Sequence, residues 1–235
     1  MFSRRLFCVG SAVSLGGALS ACSSMGPLTM DETRPSRPEL ASRTLATPDY
    51  QAVYGEYPGE PFAIRPFDYS EIDPRWLRQT VEWRGPEGPG TIIVDPANKH
   101  LYFTESPGKA TRYGVGVGRD GFLWNGRAQI NLKRSWPDWI PPKEMIERSP
   151  EIRAQLQKTS RGLGVPGGPK SPLGARAMYL FSDGGARDLG YRIHGTTEPE
   201  TIGTNVSSGC IRMVNQDIVH LFTRAAVGTK VTVLG

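Results

Sequence analysis

The residues able to do covalent chemistry are concentrated in one stretch. Residues 193–213 read I-H-G-T-T-E-P-E-T-I-G-T-N-V-S-S-G-C-I-R-M and contain His194 and Cys210. A thiol attacks as its thiolate, and an imidazole within reach can take or share the proton. Ile211, Val214, Ile218, Leu221 and Phe222 recur at helical spacing, so the pattern predicts a helix that begins at Cys210. A helix N-terminus carries unpaired N–H groups and partial positive charge, which would lower the thiol's pKa. The backbone N–H groups of Ser208, Gly209 and Cys210 are then candidates for an oxyanion hole. The chemistry expected of this set is acyl transfer through a thioester. Cys210 attacks a carbonyl, His194 protonates the leaving amine, and a second amine or water resolves the acyl-enzyme.

Other chemistries fit less well. His194 and Cys210 come without an H-E-x-x-H or C-x-x-C pattern, so no metal is expected. Gly114-Val-Gly116-Val-Gly118 lacks the spacing of a dinucleotide loop, and the Gly-rich residues 162–174 form no phosphate-binding pattern around Lys170-Ser171, so no cofactor is expected. His100, on a hairpin strand, and His220, on the exposed side of the last helix, read as structural or solvated.

The elements that must position the pair are mostly strands. Runs at 91–94, 100–104, 112–117, 126–133, 175–181, 191–194 and 230–234 have strand character, and 95–99 is turn chemistry between the first two. Residues 142–157 show helical spacing interrupted at Pro150, and 161–174 read as a long Gly/Pro loop. The expected fold is mainly β with a few short helices, with the catalytic domain at residues 90–235. Residues 49–89, rich in Tyr, Phe and Trp, read as an arm that packs on this domain, with Ser70 capping a short helix.

Composition bounds the rest. Hydrophobic residues make up 38%, and 28 Gly with 20 Pro favour a loop-rich β protein carrying a non-globular piece. The net charge of +5 falls to +3 without Arg4 and Arg5 (5 − 2), with no clustered basic stripe, so nucleic acid is not an expected partner. Residues 1–21 combine Arg4-Arg5 with a short apolar run and read as a signal peptide, resembling a twin-arginine signal at their start. Small residues before Cys22 resemble a bacterial lipobox, which makes Cys22 the lipidated first residue of an exported protein. Residues 22–48 then form a flexible tether, and Ser23 suits sorting to the outer rather than the inner membrane. Loss of Cys8 with the signal leaves Cys210 as the free thiol of a periplasmic chain.

H-G-T at 194–196 followed by S-x-G-C-I-R-M at 207–213 resembles the L,D-transpeptidase catalytic domain family of the YkuD/ErfK type. G-T-I-I-V-D at 90–95, Y-G-V-G-V-G at 113–118 and P-L-G-A-R-A-M-Y-L at 172–180 extend the resemblance over roughly 90–235. It implies a β-sandwich or barrel-like catalytic domain acting on peptidoglycan. The acyl group of a tetrapeptide stem would pass, with release of D-alanine, to an amine of another stem or of an outer-membrane protein. It assigns Cys210 as nucleophile, His194 as base, and the Gly195 carbonyl as the group that orients the imidazole. Arg212 is expected to meet a stem carboxylate, and Tyr179, Trp136 and Trp139 are further candidates for substrate contact, although residues 136–142 equally suit a plug of bulky side chains. Many family members have His where this chain has Ser208. Hydrolysis of the same acyl-enzyme, or a non-catalytic peptidoglycan-binding lipoprotein, are the alternatives.

Overall fold

The computed structural model describes residues 40–119, 124–207 and 209–235. The expected signal peptide, Cys22, most of the expected tether and Ser208 lie outside the described residues. Strands β1 (Ala41–Ala46) and β2 (Gln79–Trp83) flank helix α1 (Tyr50–Tyr54) and two short 3-10 turns. β3 (Ile92–Asp95), β4 (His100–Ser106) and β5 (Lys109–Gly114) are joined as successive antiparallel pairs. β6 (Val117–Gly118) and β7 (Gly126–Ser135) follow. The next segment holds helices α2 (Lys143–Arg148) and α3 (Pro150–Arg153) and the hairpin of β8 (Gln157–Thr159) with β9 (Gly162–Gly164). The chain closes with β10 (Arg176–Ser182), β11 (Asp188–His194), β12 (Asn205–Ser207), β13 (Ile211–Arg212), helix α4 (Asn215–Arg224) and β14 (Lys230–Val233).

Ten of these strands form one mixed sheet in the order β1-β2-β5-β4-β3-β14-β7-β10-β11-β13. The pairs β3–β14 and β11–β13 are parallel. The sheet closes on itself. Gly116, just past β5, exchanges both backbone hydrogen bonds with Arg212 of β13, at 3.0 and 2.8 Å. Closure removes an exposed strand edge and encloses the apolar core. Ile92, Leu101, Tyr113, Ile130, Met178, Ile193 and Ile211 from seven strands pack with Ile218 and Leu221 of α4 in one cluster. The Gly114–Gly118 run, a glycine pattern of possible ligand loops, is therefore backbone built into strand pairing.

Several expectations change. The tether does not run to residue 48, because Ala41–Ala46 pairs with β2 and Ala41 buries itself against Val81 and Trp83. The short helical turns near residue 70 are capped by the Asp68 and Asp73 side chains, not by Ser70. Part of the 161–174 loop is the strand β9. Helix α4 begins at Asn215, not at Cys210. Ile211 and Met213 reach the core by strand alternation instead, and their spacing to Val214 and Ile218 coincides with a helical one.

Residues 49–89 are tied to the domain by a buried polar lock as well as by aromatic packing, and Pro38–Gly235 form one unit. Tyr54, Ile72 and Leu77 pack with Ile202 and Val214. Beneath them Gln216 Nε2 donates to the carbonyls of Tyr54, Gly55 and Arg65 at 3.3, 3.2 and 2.9 Å. The Tyr54 hydroxyl donates to Asp217 at 3.1 Å and accepts from the Arg78 N–H at 2.8 Å. Burial pushes the Asp217 carboxyl up to about 6. Gln216→Ala would strand these buried carbonyls, so it is expected to lower unfolding stability by about 2 kcal/mol. Urea titration measures this; an unchanged midpoint and slope would show that the segment is not held through Gln216.

Candidate active site

The two residues singled out by sequence meet through strand pairing. In the parallel pair β11–β13, Ile193 lies opposite Ile211, and His194 opposite Arg212. Ile193 and Ile211 face the core. By alternation, His194, Arg212 and their neighbours Arg192 and Cys210 belong to the other face. The same face continues across the sheet, because β10 pairs Ala177 with His194 and Tyr179 with Arg192, and β7 pairs Arg134 with Ala177. Directly opposed residues share a face. One row therefore reads Arg134–Ala177–His194–Arg212, and the next holds Tyr179, Arg192 and Cys210.

His194 is buried at 5% exposure, and its Nδ1 lies 2.5 Å from the Gly195 carbonyl oxygen. A carbonyl can only accept, so Nδ1 carries the proton, and the neutral ring keeps its lone pair on Nε2. Burial lowers the imidazole's pKa to about 4 against the opposing effect of the Gly195 bond, with Arg212 and Arg192 pushing it further down. At neutral pH the ring is an uncharged base.

Gly195 has a second job. A Cβ there would come within 2.2 Å of Asn215 Oδ1. That oxygen accepts from the Ala175 N–H at 2.9 Å, and Asn215 Nδ2 donates to the Thr196 carbonyl at 2.8 Å. The Asn215 amide thus ties the start of β10 to the chain leaving β11, on either side of the His194–Gly195 pair. Sequence reading did not single out Asn215; an amide at a helix start carries no local sign of such a bridge.

Cys210 differs from its expected state. It precedes a strand, so no helix N-terminus acts on it. Burial raises the thiol's pKa; the Arg192 N–H aimed at the sulfur and the charges of Arg192 and Arg212 lower it only in part. The turn before it is held by Ser207, whose hydroxyl donates to the Cys210 carbonyl at 2.6 Å and accepts from the Gly209 N–H at 3.1 Å. Gly209 adopts φ +108°, in the region that favours glycine. The Gly209 N–H is therefore not an empty donor as expected for the oxyanion hole: Ser207 holds it in this state.

The expected substrate contacts divide. Arg212 keeps a partly exposed guanidinium, paired with Glu198 at 2.7 Å. Tyr179 is 2% exposed and is not an open contact surface. Arg192 lies 4.3 Å and Arg161 5.8 Å from its ring centre, and its hydroxyl accepts from Arg161 at 3.2 Å. Trp136 packs edge-on against Phe62 and donates through Nε1 to Glu60 at 3.1 Å, so it clamps the N-terminal segment. Trp139 is half-buried, and its backbone exchanges two hydrogen bonds of 2.9 Å with Val165. Both fit the plug alternative. His220 is half-buried rather than exposed, with Nδ1 2.7 Å from the Tyr113 hydroxyl. Arg192 was missed: a strand arginine reads as a surface charge until β11 pairs with β13. It is gripped by Asp188 through two bonds of 2.8 and 2.9 Å. Among the described residues, no three His, Cys, Asp or Glu side chains form a cluster able to hold a metal ion.

A thiol whose pKa is raised is mostly protonated at neutral pH, and its thiolate fraction grows as pH climbs through and past the ordinary thiol range. Iodoacetamide alkylation of Cys210, followed by mass, is thus expected to accelerate continuously from pH 6 to pH 9. A rate already level from about pH 6 would mean a preformed thiolate and contradict this electrostatic account.

The family model for YkuD, the L,D-transpeptidase catalytic domain, matches residues 89–233. Probable L,D-transpeptidase ErfK/SrfK of Escherichia coli (strain K12) is 32% identical over 148 residues, which cover 61% of this chain and 43% of that protein. Probable L,D-transpeptidase YcfS of the same organism is 33% identical over 148 residues, with the same shares of 61% and 43%. The chain thus spans under half the length of these curated relatives. A crystal structure described as a probable carnitine operon oxidoreductase from Brucella melitensis is 46% identical, covers 71% of this chain and 99% of its own, and superposes with a TM-score of 0.46. With the family model matched over more than half its residues, the chain belongs to the L,D-transpeptidase catalytic domain family.

Proposed function

We propose that this protein is a cysteine-dependent L,D-transpeptidase acting on peptidoglycan tetrapeptide stems. The observation that carries the reading is the joint placement of Cys210 and His194 on one face of paired strands, with the His194 tautomer fixed by the Gly195 carbonyl. Cys210 Sγ forms a bond to the carbonyl carbon that precedes the terminal D-residue, while its proton passes to His194 Nε2. Collapse of the tetrahedral adduct breaks the amide bond, and the proton moves from Nε2 to the leaving D-alanine amine. An acceptor amine then attacks the thioester, gives up its proton to Nε2, and expels the thiolate, which is reprotonated. The neutral resting state suits this sequence, because a base that starts unprotonated can receive the thiol proton as substrate binds. Oxyanion stabilisation requires main-chain donors at the turn before Ile211, with the Gly209 N–H released from Ser207 as charge develops on the substrate oxygen. Arg212, beside both reacting side chains, is the candidate for a stem carboxylate, in exchange for Glu198.

The acceptor is a second stem or an outer-membrane protein. Lipidation of Cys22 after export would keep the enzyme in the periplasm on the outer membrane, beside its substrate. Cys22→Ser should move the protein from membranes to the soluble fraction, and unchanged fractionation would contradict the anchor.

Incubation of the protein with disaccharide-tetrapeptide, read by mass spectrometry, tests the chemistry. The expected products are free D-alanine and a cross-linked dimer, with none from Cys210→Ala and a rate about 10²–10⁴-fold lower from His194→Gln. Release of D-alanine without dimer would assign hydrolysis of the same acyl-enzyme instead. Absence of both, with wild type matching Cys210→Ala, would overturn the enzyme reading.

A further inference from the structure

A groove of about 410 Å³ lies at the end of β7, lined by Lys133, Arg134, Ser135, Trp136, Pro137, Asp138, Ser160 and Arg161. Its lining carries the exposed guanidinium groups of Arg134 and Arg161 and one carboxylate, Asp138, on which the Arg161 charge also acts. The Asp138 carboxylate is occupied by the Gly167 N–H at 2.8 Å and the Ser160 hydroxyl at 3.0 Å. Lys133 turns to the other side of the sheet, where its ammonium binds the Phe222 and Ala225 carbonyls at the end of α4, at 2.5 and 2.6 Å. Arg134 and Arg161 are exposed, and neither makes an ion pair with a described residue.

The groove is connected to the reacting pair. Arg134 stands in the row that runs through Ala177 to His194, two strands away, or about 10 Å at ordinary strand spacing, and the β13 side where Cys210 lies is one strand further, about 14 Å in all. Arg161 donates to Tyr179, whose ring also packs against the Arg192 side chain, and the Arg192 backbone N–H points at Cys210 Sγ. Two guanidinium groups at one buried aromatic ring therefore lead from the groove to β11, whose Arg192 backbone N–H faces the nucleophile. An extended peptide covers about 10 Å in three residues.

We propose that Arg134 and Arg161 form a carboxylate subsite that holds an acidic residue of the acyl donor while its scissile carbonyl sits at Cys210. This deepens the transpeptidase reading and rests on it. The ligand is a side-chain or α-carboxylate on the three residues of the donor stem before the scissile bond, and the length of the arginine side chains spans the rest of the distance. Each planar guanidinium offers two parallel N–H donors to it. Tyr179 acts as a positioning residue, setting the heights of Arg161 and Arg192 over the sheet.

The test measures binding of synthetic tetrapeptide stems to the full chain carrying Cys210→Ala, by calorimetry, with side-chain carboxylates either free or amidated. Arg134→Gln and Arg161→Gln are each expected to weaken binding of the free-carboxylate stem about tenfold and to leave the amidated stem unchanged. The amidated stem is the control for a merely structural effect. Equal binding of both stems to the parent, or equal losses for both stems in the variants, would overturn the subsite. A tripeptide stem, which can only accept, is the comparison; arginine dependence confined to it would place the subsite on the acceptor side and overturn the assignment. Cleavage is assayed in parallel on the chain with Cys210 intact. Discrimination in binding without cleavage leaves the subsite standing and removes the transpeptidase reading, whereas cleavage without discrimination removes the subsite alone.

Discussion

Two residue pairs of parallel sheet hold the candidate site together. Ile193 opposite Ile211 and His194 opposite Arg212 fix the register of β11 against β13, and a slip of one residue would turn Ile211 outward and Arg212 into the core. The register is enforced from both sides. Apolar packing of Ile193, Ile211 and Met213 penalises the slip, and Gly116 claims the remaining backbone edge of Arg212. Much of the remaining architecture serves this short strand. The closed sheet supplies Gly116, α4 supplies the Asn215 amide, and the N-terminal segment braces α4 through Gln216 and Asp217.

Electrostatics then decide how such a pair could react. Burial raises the thiol's pKa and lowers that of the imidazole, so both partners rest uncharged. Two arginines near both groups push the imidazole in the same direction as burial, yet favour the thiolate. The balance is asymmetric: an imidazolium is disfavoured by burial and by the cations, while a thiolate is disfavoured by burial and the Asp188 charge but favoured by the cations. A substrate bringing negative charge to Arg192 and Arg212 would offset the cations' effect on the imidazole, favouring its protonated form, and would at the same time offset their support of the thiolate. Substrate binding and activation of the nucleophile are linked by charge in this account.

The candidate pair, the glycine between imidazole and helix, and most strands were legible in the sequence because each depends on local pattern. Residues 100–104 and 230–234 alternate or run apolar where strands are found, and H-G-T with G-C-I-R-M is a compact signature. What was illegible depends on partners distant in sequence. Ile211 and Val214 fit a helical face and a strand end equally well, and only pairing with β11 decides between them. β1, with the polar composition A-S-R-T-L-A, reads as linker until β2 offers its edge. Tyr179 looked like a contact residue because nothing local shows that Arg161 and Arg192 cover it. Arg192 and Asn215 had no visible role, since the sulfur that the Arg192 backbone N–H meets, and the Ala175 N–H and Thr196 carbonyl that Asn215 bridges, are brought close only by the fold.

The chemistry proposed for the site depends on His194 being a neutral base with its proton held on Nδ1 by the Gly195 carbonyl. Nitrogen-15 NMR of labelled histidine reads it directly, with His194 assigned by comparison with His194→Gln. The expected spectrum is that of the Nδ1–H tautomer, neutral at pH 7 and still neutral at pH 5, with protonation only at about pH 4. A His194 ring that protonates near its ordinary value of 6.5, or that carries its neutral-state proton on Nε2, would contradict it.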